Sequence, residues 1–288
     1  MATSFTNQAT LSYNNQTTNS NVVTGTLQDV LDVSKSAISG DYRQGDTVTY
    51  AISVINSGNV AYNNLTLTDN LGAYATGTAA GTVTPLTFIP GSVVLYSNGT
   101  RQTTLPTVNG TSPLSIMGIN VPANGNILLL YSATANQFAP QGTTGSINNT
   151  VTLAGDGLTV PITATANTAA DADARLSVVK SMNPTTVVPN QPLTYTFTIQ
   201  NTGATATTAA DNLILRDVFD PALDITSVTL NGAALIENTD YTYNQGSGAF
   251  ATVANKITVP AATYAQNQTT GVWTITPGTA ILQVTGTL

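Results

Sequence analysis

The stretch Thr47-Val48-Thr49-Tyr50-Ala51-Ile52-Ser53-Val54 decides the fold. Val48, Tyr50, Ile52 and Val54 fall on one face of an extended chain, and Thr47, Thr49, Ala51 and Ser53 on the other. A period of two marks a half-buried antiparallel strand. Leu193, Tyr195, Phe197 and Ile199 repeat the pattern, with Thr194, Thr196 and Thr198 between them. Thr suits an exposed strand face because its β-branch fits the extended backbone. The apolar runs stop at turn formers: Asn56-Ser57-Gly58, Asn98-Gly99, Asn109-Gly110, Asn201-Thr202-Gly203 and Asn231-Gly232. No stretch of ten residues reads as a helix. The expectation is an all-β chain of sandwich type.

The two quoted strands are one element of an internal repeat. Lys35 aligns with Lys180, 145 positions on, and Leu31, Val33 and Val48-Thr49-Tyr50 align with Leu176, Val178 and Leu193-Thr194-Tyr195. Leu65-Thr66-Leu67-Thr68-Asp69 then matches Leu213-Ile214-Leu215-Arg216-Asp217, and Pro122 with Ile127-Leu128-Leu129 matches Pro277 with Ala280-Ile281-Leu282. Two tandem Ig-like β-sandwiches are expected, over 29–170 and 171–288, joined by the solvated run Ala169-Ala170-Asp171-Ala172-Asp173-Ala174.

The repeats end differently. The first continues into Ile147-Asn148-Asn149-Thr150-Val151-Thr152-Leu153, a turn at Gly155-Asp156-Gly157, and a last strand through Asn167. The second stops before any counterpart of 147–167. The counterpart stands at the other end: Phe5-Thr6-Asn7-Gln8-Ala9-Thr10-Leu11 matches 147–153, followed by a turn at Tyr13-Asn14-Asn15-Gln16 and a strand near Ser20–Leu27. Residues 1–28 thus read as a terminal hairpin without its domain, and the second domain as a sandwich without its terminal hairpin. An incomplete sandwich exposes an apolar groove and an unpaired strand edge. Strand donation from another copy would complete it, and a donor and acceptor at opposite ends build open, head-to-tail filaments. Fold-back of the hairpin onto its own second domain is the competing arrangement. The residues expected at the subunit interface are Phe5, Ala9, Leu11 and Val22 on the donor, and Ile281 and Val284 on the acceptor.

Composition narrows the function. Seven Lys and Arg face fourteen Asp and Glu, for a net charge of −7, and only 7% of residues are charged. Seven scattered cations make no basic patch, so nucleic acid is not an expected partner. With no Cys and no His, the usual zinc ligands and every Cys- or His-based triad are missing, and neither a metal nor a cofactor is expected. No run of 18 apolar residues suggests a membrane-spanning helix. Asp217, Asp220 and Asp224 read as solvated loop acids, because calcium wants six or more oxygens. Asn-x-Thr sequences arise by chance among 28 Asn and 53 Thr. Trp273, the single tryptophan, is expected in a core or an interface.

Two of the three lysines, Lys35 and Lys180, share a repeat position. Asp69 and Asp217 share another, at the end of one inner strand, and Asn149 and Asn7 a third, on the last strand. A Lys, a carboxylic acid and an Asn brought together in a dry core can condense. Apolar surroundings lower the Lys pKa and make the amine nucleophilic, while a protonated Asp can polarise the Asn carbonyl and shuttle protons. The product is a Lys–Asn isopeptide bond, with loss of ammonia. Lys35, Asp69 and Asn149 would form it inside the first domain; Lys180 and Asp217 would meet Asn7 of a neighbouring copy. Exposed strand lysines and turn-forming aspartates are the plainer alternative.

Leu31-Asp32-Val33-Ser34-Lys35, Gly45-Asp46-Thr47-Val48-Thr49-Tyr50, Asn56-Ser57-Gly58 and Leu65-Thr66-Leu67-Thr68-Asp69-Asn70-Leu71 together resemble a bacterial surface repeat family known as "domain of unknown function eleven". The resemblance covers the first domain and, except for the last hairpin, the second, which departs at Pro189-Asn190-Gln191-Pro192. It implies Ig-like sandwiches in cell-wall and surface proteins, some with Lys–Asn isopeptide bonds. The size and layout are also similar to subunits of clostridial spore appendages. The start, Met1-Ala2-Thr3-Ser4-Phe5, lacks the basic and apolar regions of a secretory signal. The expectation is therefore a non-enzymatic structural fibre subunit on a spore or cell surface, assembled inside a mother cell and released by its lysis. Its partners would be further copies of itself and other surface or spore-coat proteins, with no nucleic acid and no membrane. The alternative is a surface adhesin, with 73–87 and 233–256 as candidate binding insertions.

Overall fold

The structure, a computed structural model, describes residues 3–27, 29–77, 81–110 and 112–288. Apart from one 3-10 turn at Ala209–Asp211, its regular elements are strands. None of its helices is long and apolar enough to cross a membrane among the described residues.

The chain begins with a free-standing hairpin. Strand β1 (Thr3–Asn7) pairs with β4 (Val23–Leu27), and β2 (Thr10–Tyr13) with β3 (Gln16–Asn19). Asn14 and Asn15 close it with φ of 45° and 59°, the left-handed pair that a two-residue hairpin turn requires. Thr10 opposes Asn19 whereas Asn7 opposes Val23, so the returning arm carries one extra residue, a bulge. The outgoing arm keeps its alternation, with Phe5, Asn7, Ala9 and Leu11 on one face. Gly25 sits directly under the Phe5 ring, where a Cβ would meet the ring at 2.3 Å. Every residue from 4 to 24 is solvent-exposed; the hairpin does not fold back onto its own second domain. The second strand expected near Ser20 starts at Val23.

The first sandwich holds β5 (Leu31–Ala37), β6 (Thr47–Asn56), β7 (Tyr62–Asp69), the small β8 (Tyr74–Ala75) and β9 (Thr82–Val83), β10 (Leu86–Phe88), β11 (Val94–Ser97), β12 (Thr100–Arg101), β13 (Thr107–Asn109), β14 (Leu114–Val121), β15 (Gly125–Ala135), β16 (Ser146–Ala154) and β17 (Ile162–Ala169). One sheet runs β12-β11-β15-β6-β5, with β10 also pairing β15, and the other β13-β14-β7-β16-β17. Their inner faces meet in one core that includes Tyr50, Ile52, Leu129 and Tyr131 from the first and Leu67, Ile116, Val151 and Leu153 from the second.

The second sandwich holds β18 (Leu176–Asn183), β19 (Pro192–Asn201), β20 (Arg216–Val218), β21 (Asp224–Leu230), β22 (Ala233–Ala234), β23 (Tyr241–Asn244), β24 (Ala249–Thr252), β25 (Thr263–Gln266), β26 (Trp273–Thr276) and β27 (Gly278–Thr287). Its first sheet, β18-β19-β27-β21-β22, repeats β5-β6-β15-β11-β12 strand for strand. Its second sheet is only β20-β24-β23, the counterpart of β7-β14-β13. Among the described residues, none occupies the places of β16 and β17. The effect is local and physical. In the first domain the β7 ladder runs to Asp69 with partners on both sides, whereas in the second only Arg216–Val218 find a strand partner. The expected strand 213–217 is shortened because one side of it is bare. The segment 233–256 supplies β22, β23 and β24.

The two expected acceptor residues, Ile281 and Val284, both lie on β27. β27 is the middle strand of its sheet, paired with β19 and β21. Val284 points inward and is fully buried in the domain's own core, and Ile281 lies on the outer face of the same strand. Neither lies on an edge strand, since β27 is flanked by β19 and β21.

The domains meet through polar contacts. The Tyr74 hydroxyl accepts from Trp273 Nε1 at 3.1 Å and Gln266 Nε2 at 2.9 Å, and donates to the Phe138 carbonyl at 2.8 Å. Arg43 pairs with Asp171 at 2.5 Å. Gly203 lets the linker press against the β19 turn, since a Cβ there would lie 1.9 Å from the Asp173 carbonyl oxygen. Trp273 is thus an interface residue.

Candidate functional site

Alternation along four strands brings the first site together. Lys35 lies on the inward face of β5, beside Leu31 and Val33, and Asp69 ends the inward row of β7 after Leu65 and Leu67. Asn149 lies on the inward row of β16, between Ile147 and Val151. Three polar groups are thereby forced into a core of aliphatic and aromatic side chains, and the Lys35 and Asp69 side chains are 0% and 1% exposed.

Lys35 Nζ donates to Asp69 Oδ2 at 2.6 Å. The Tyr131 hydroxyl donates to the same oxygen at 2.7 Å and accepts from Asn149 Nδ2 at 2.7 Å. Asp69 Oδ1 accepts the Leu71 N–H at 2.9 Å. The ammonium also lies over the Tyr50 ring, 4.8 Å from its centroid, and Tyr50 stacks on Tyr131. Burial pushes the Lys35 pKa down to about 8 against the opposing pull of Asp69, so a usable fraction of the amine is unprotonated near neutral pH. Burial likewise pushes the Tyr131 and Tyr50 hydroxyls up, keeping both protonated.

Three buried atoms here have no hydrogen-bond partner: Asn149 Oδ1, the Tyr50 hydroxyl and Thr168 Oγ1. An unpaired buried acceptor costs roughly 1–3 kcal/mol, and native cores seldom carry one without a reason. The arrangement holds a desolvated amine, a carboxyl group and a carboxamide in one dry cluster, with the carboxamide oxygen unclaimed. Sequence reasoning found Lys35, Asp69 and Asn149 but missed Tyr131 and Tyr50. The signal available was two tyrosines on inward rows of otherwise aliphatic strands.

The second site repeats half of this. Lys180 pairs with Asp217 and lies over the Tyr195, Phe197 and Phe219 rings. Its side chain is 39% exposed, against 0% for Lys35. The cause is the bare edge: β16 and β17 cover Lys35, and among the described residues no strand takes their place over Lys180. Leu176, Val178 and Val179 on β18 are exposed as well. An apolar hollow lies between Leu176, Val178, Ile199, Leu213, Leu215 and Ile257, and another is lined by β20, β23 and β24. Asn7, expected at this site, is on the free hairpin, paired with Val23 and exposed to solvent. Phe5, Leu11 and Val22 are between 55% and 64% exposed there, and Ala9 is exposed too. Of the three loop acids, Asp217 holds Lys180, and Asp224 accepts from Gln245 at 3.3 Å.

No family model matches the chain, and no curated protein matches it. Solved structures similar to it include the pilus backbone RrgB of Streptococcus pneumoniae (14% identity, 86% of this chain and 55% of that one, TM-score 0.35). Others are the major pilin subunit BcpA of Bacillus cereus (10%, 64% and 62%, 0.35) and a 35 kDa C-terminal fragment of a Streptococcus agalactiae major pilin (12%, 86% and 86%, 0.36). A family 123 glycoside hydrolase from Clostridium perfringens is similar over 49% of this chain and 27% of its own, at a TM-score of 0.30. The chain thus spans little more than half the length of the pilus backbone and about a quarter of the hydrolase.

Proposed function

We propose that the protein is the structural subunit of a fibre on a spore or cell surface, polymerising head to tail by donating residues 3–27 into the second sandwich of the next copy. One observation carries this reading. The second sandwich lacks the two strands that complete the first, and a hairpin of the same sequence pattern stands exposed at the other end of the chain. Donation would cover β18 and the β20 edge with Phe5, Ala9 and Leu11, as Ile147, Val151 and Leu153 cover the first core.

The same donation would carry Asn7 to Lys180 and Asp217, as β16 carries Asn149 to Lys35 and Asp69. We assign both triads to Lys–Asn isopeptide bonds, one inside each subunit and one across each joint. The repeat family suggested by Leu31–Leu71 and an origin in a sporulating cell belong to the same reading.

The test is deletion of residues 1–27, followed by electron microscopy of the purified protein. Filaments from the full chain and soluble monomers from the truncation are expected. Filaments that survive the deletion exclude hairpin donation. Intact mass reads the internal bond: the first domain should be lighter by one ammonia than its sequence, and an unchanged mass excludes the bond.

A further inference from the structure

We propose that Tyr131 is a catalytic residue of the internal cross-link, the relay that protonates the departing nitrogen of Asn149, and that the joint site lacks this relay. The inference rests on the isopeptide reading above. It starts from a continuous chain of hydrogen bonds: Lys35 Nζ donates to Asp69 Oδ2 at 2.6 Å, the Tyr131 hydroxyl donates to the same oxygen at 2.7 Å, and Asn149 Nδ2 donates to the Tyr131 oxygen at 2.7 Å, so the two bonds of Tyr131 reverse once Asp69 is protonated. The nucleophile stands at one end and the leaving group at the other.

The atoms balance along that chain. The Lys35 ammonium gives one proton to Asp69 and becomes a neutral amine. Its lone pair attacks Asn149 Cγ, forming the Nζ–Cγ bond and a tetrahedral centre. The Cγ–Nδ2 bond then breaks, but amide anion is not a viable leaving group, so Nδ2 must first take a proton. Asp69 passes its proton to the Tyr131 oxygen while the Tyr131 proton moves to Nδ2. Ammonia departs, and the second Nζ proton returns Asp69 to its acid form, from which it leaves with the ammonia as ammonium. No oxidant or cofactor is involved. A hydroxyl suits this role because it accepts and donates at once, and burial holds it protonated.

The second domain has no tyrosine at the place of Tyr131. Tyr50 opposes Tyr131 across the β6–β15 ladder, and Tyr195 opposes Val284 across β19–β27. Lys35 opposes Ile52, and Lys180 opposes Phe197. The two registers therefore superpose Val284 on Tyr131. Lys, Asp and the first Tyr recur in the second domain; the bridging hydroxyl does not. The internal bond should close during folding, whereas a joint should close later, after copies have had time to dock and separate.

The experiment compares full-length chain and Tyr131→Phe made by cell-free synthesis and sampled over time by intact mass. Phe keeps the ring that stacks on Tyr50 and packs near Phe88, and near-ultraviolet circular dichroism checks that the fold is kept. Loss of ammonia from the variant is expected to be about 100-fold slower, the usual effect of removing one general acid. Freshly made Tyr131→Phe should melt with Lys35→Arg, which cannot cross-link, and its Tm should climb as ammonia is lost. Equal rates in a folded variant overturn the relay and leave the cross-link standing. No ammonia loss from the unaltered chain overturns the cross-link itself, and the relay with it. In the unaltered chain, detergent-resistant dimers should lag internal ammonia loss; joints that close as fast as the internal bond overturn the assignment of Val284.

Discussion

At the scale of single residues, Lys35 carries a charge that is wholly buried. Its fully buried ammonium depends on one carboxylate and two aromatic rings. Removing one partner of such a pair costs about 3–5 kcal/mol, because a charge is left buried and alone; Asp69→Ala is expected to destabilise the first domain by that much in urea unfolding. The titration of Lys35 has a definite sign. Its folded pKa of about 8 lies below the ordinary lysine value of 10.5, so between those values the unfolded chain binds more protons and stability rises with pH. Asn149→Ala, which blocks the cross-link, should show a urea midpoint that increases from pH 8 to pH 10. The buried tyrosines, pushed the other way, reverse the trend above that. A midpoint that falls between pH 8 and 10 contradicts the depressed amine. Lys35, Asp69 and Asn149 were legible in the sequence because the repeat marked them. Tyr131 was not, since a tyrosine on an apolar row looks like core until the ladder register puts its hydroxyl between two other residues.

At the scale of elements, the bare edge of β20 controls the behaviour of the second domain. Strand edges without partners are templates for another chain, and the donor arm has a matching face. The alternation of the outgoing arm gives opposite expectations for neighbouring residues. Leu11→Asp should abolish or greatly reduce fibre yield, since burying a leucine contributes about 1.5–3 kcal/mol and a charge there is unpaired. Thr10→Asp, on the other face, should leave yield within about twofold, the range of ordinary surface changes. Equal loss in both variants would contradict a one-sided insertion, and turbidity with negative-stain counting reads it. The strand-and-turn pattern of β6 and β19 was plain in the sequence. The stunting of β20 was not, because its residues have the same apolar alternation as β7 and differ only in having no neighbour on one side. Ile281 and Val284 share β27, which the sheet order places in the middle of its sheet, with Val284 facing the core and Ile281 the outer side.

At the scale of the whole molecule, each copy carries one closed core, one open core and one spare hairpin. Ligand that binds only the folded state raises its stability by mass action, about 2.7 kcal/mol at a hundredfold excess over Kd. A synthetic peptide of residues 3–27, added to chain lacking 1–27, should therefore raise the melting temperature of the second domain and leave that of the first unchanged. Calorimetry resolves the two, and a peptide that shifts neither transition argues against donation. The contacts of Tyr74 with Trp273 and Gln266 hold the two sandwiches of one copy against each other.

Local chemistry wrote much of this protein into its sequence: period-two strands, Asn-Gly turns, a repeat, and a leading hairpin whose pattern matches that of 147–153. Those are properties of neighbouring residues, and alternation expresses them directly. The order of strands in each sheet was decided only in three dimensions, since pairing joins residues many tens of positions apart. Tertiary structure also decided which polar groups share one dry pocket, and it left Lys180 open where Lys35 is closed. The two lysines have matching local sequence; they differ in whether two more strands lie across them.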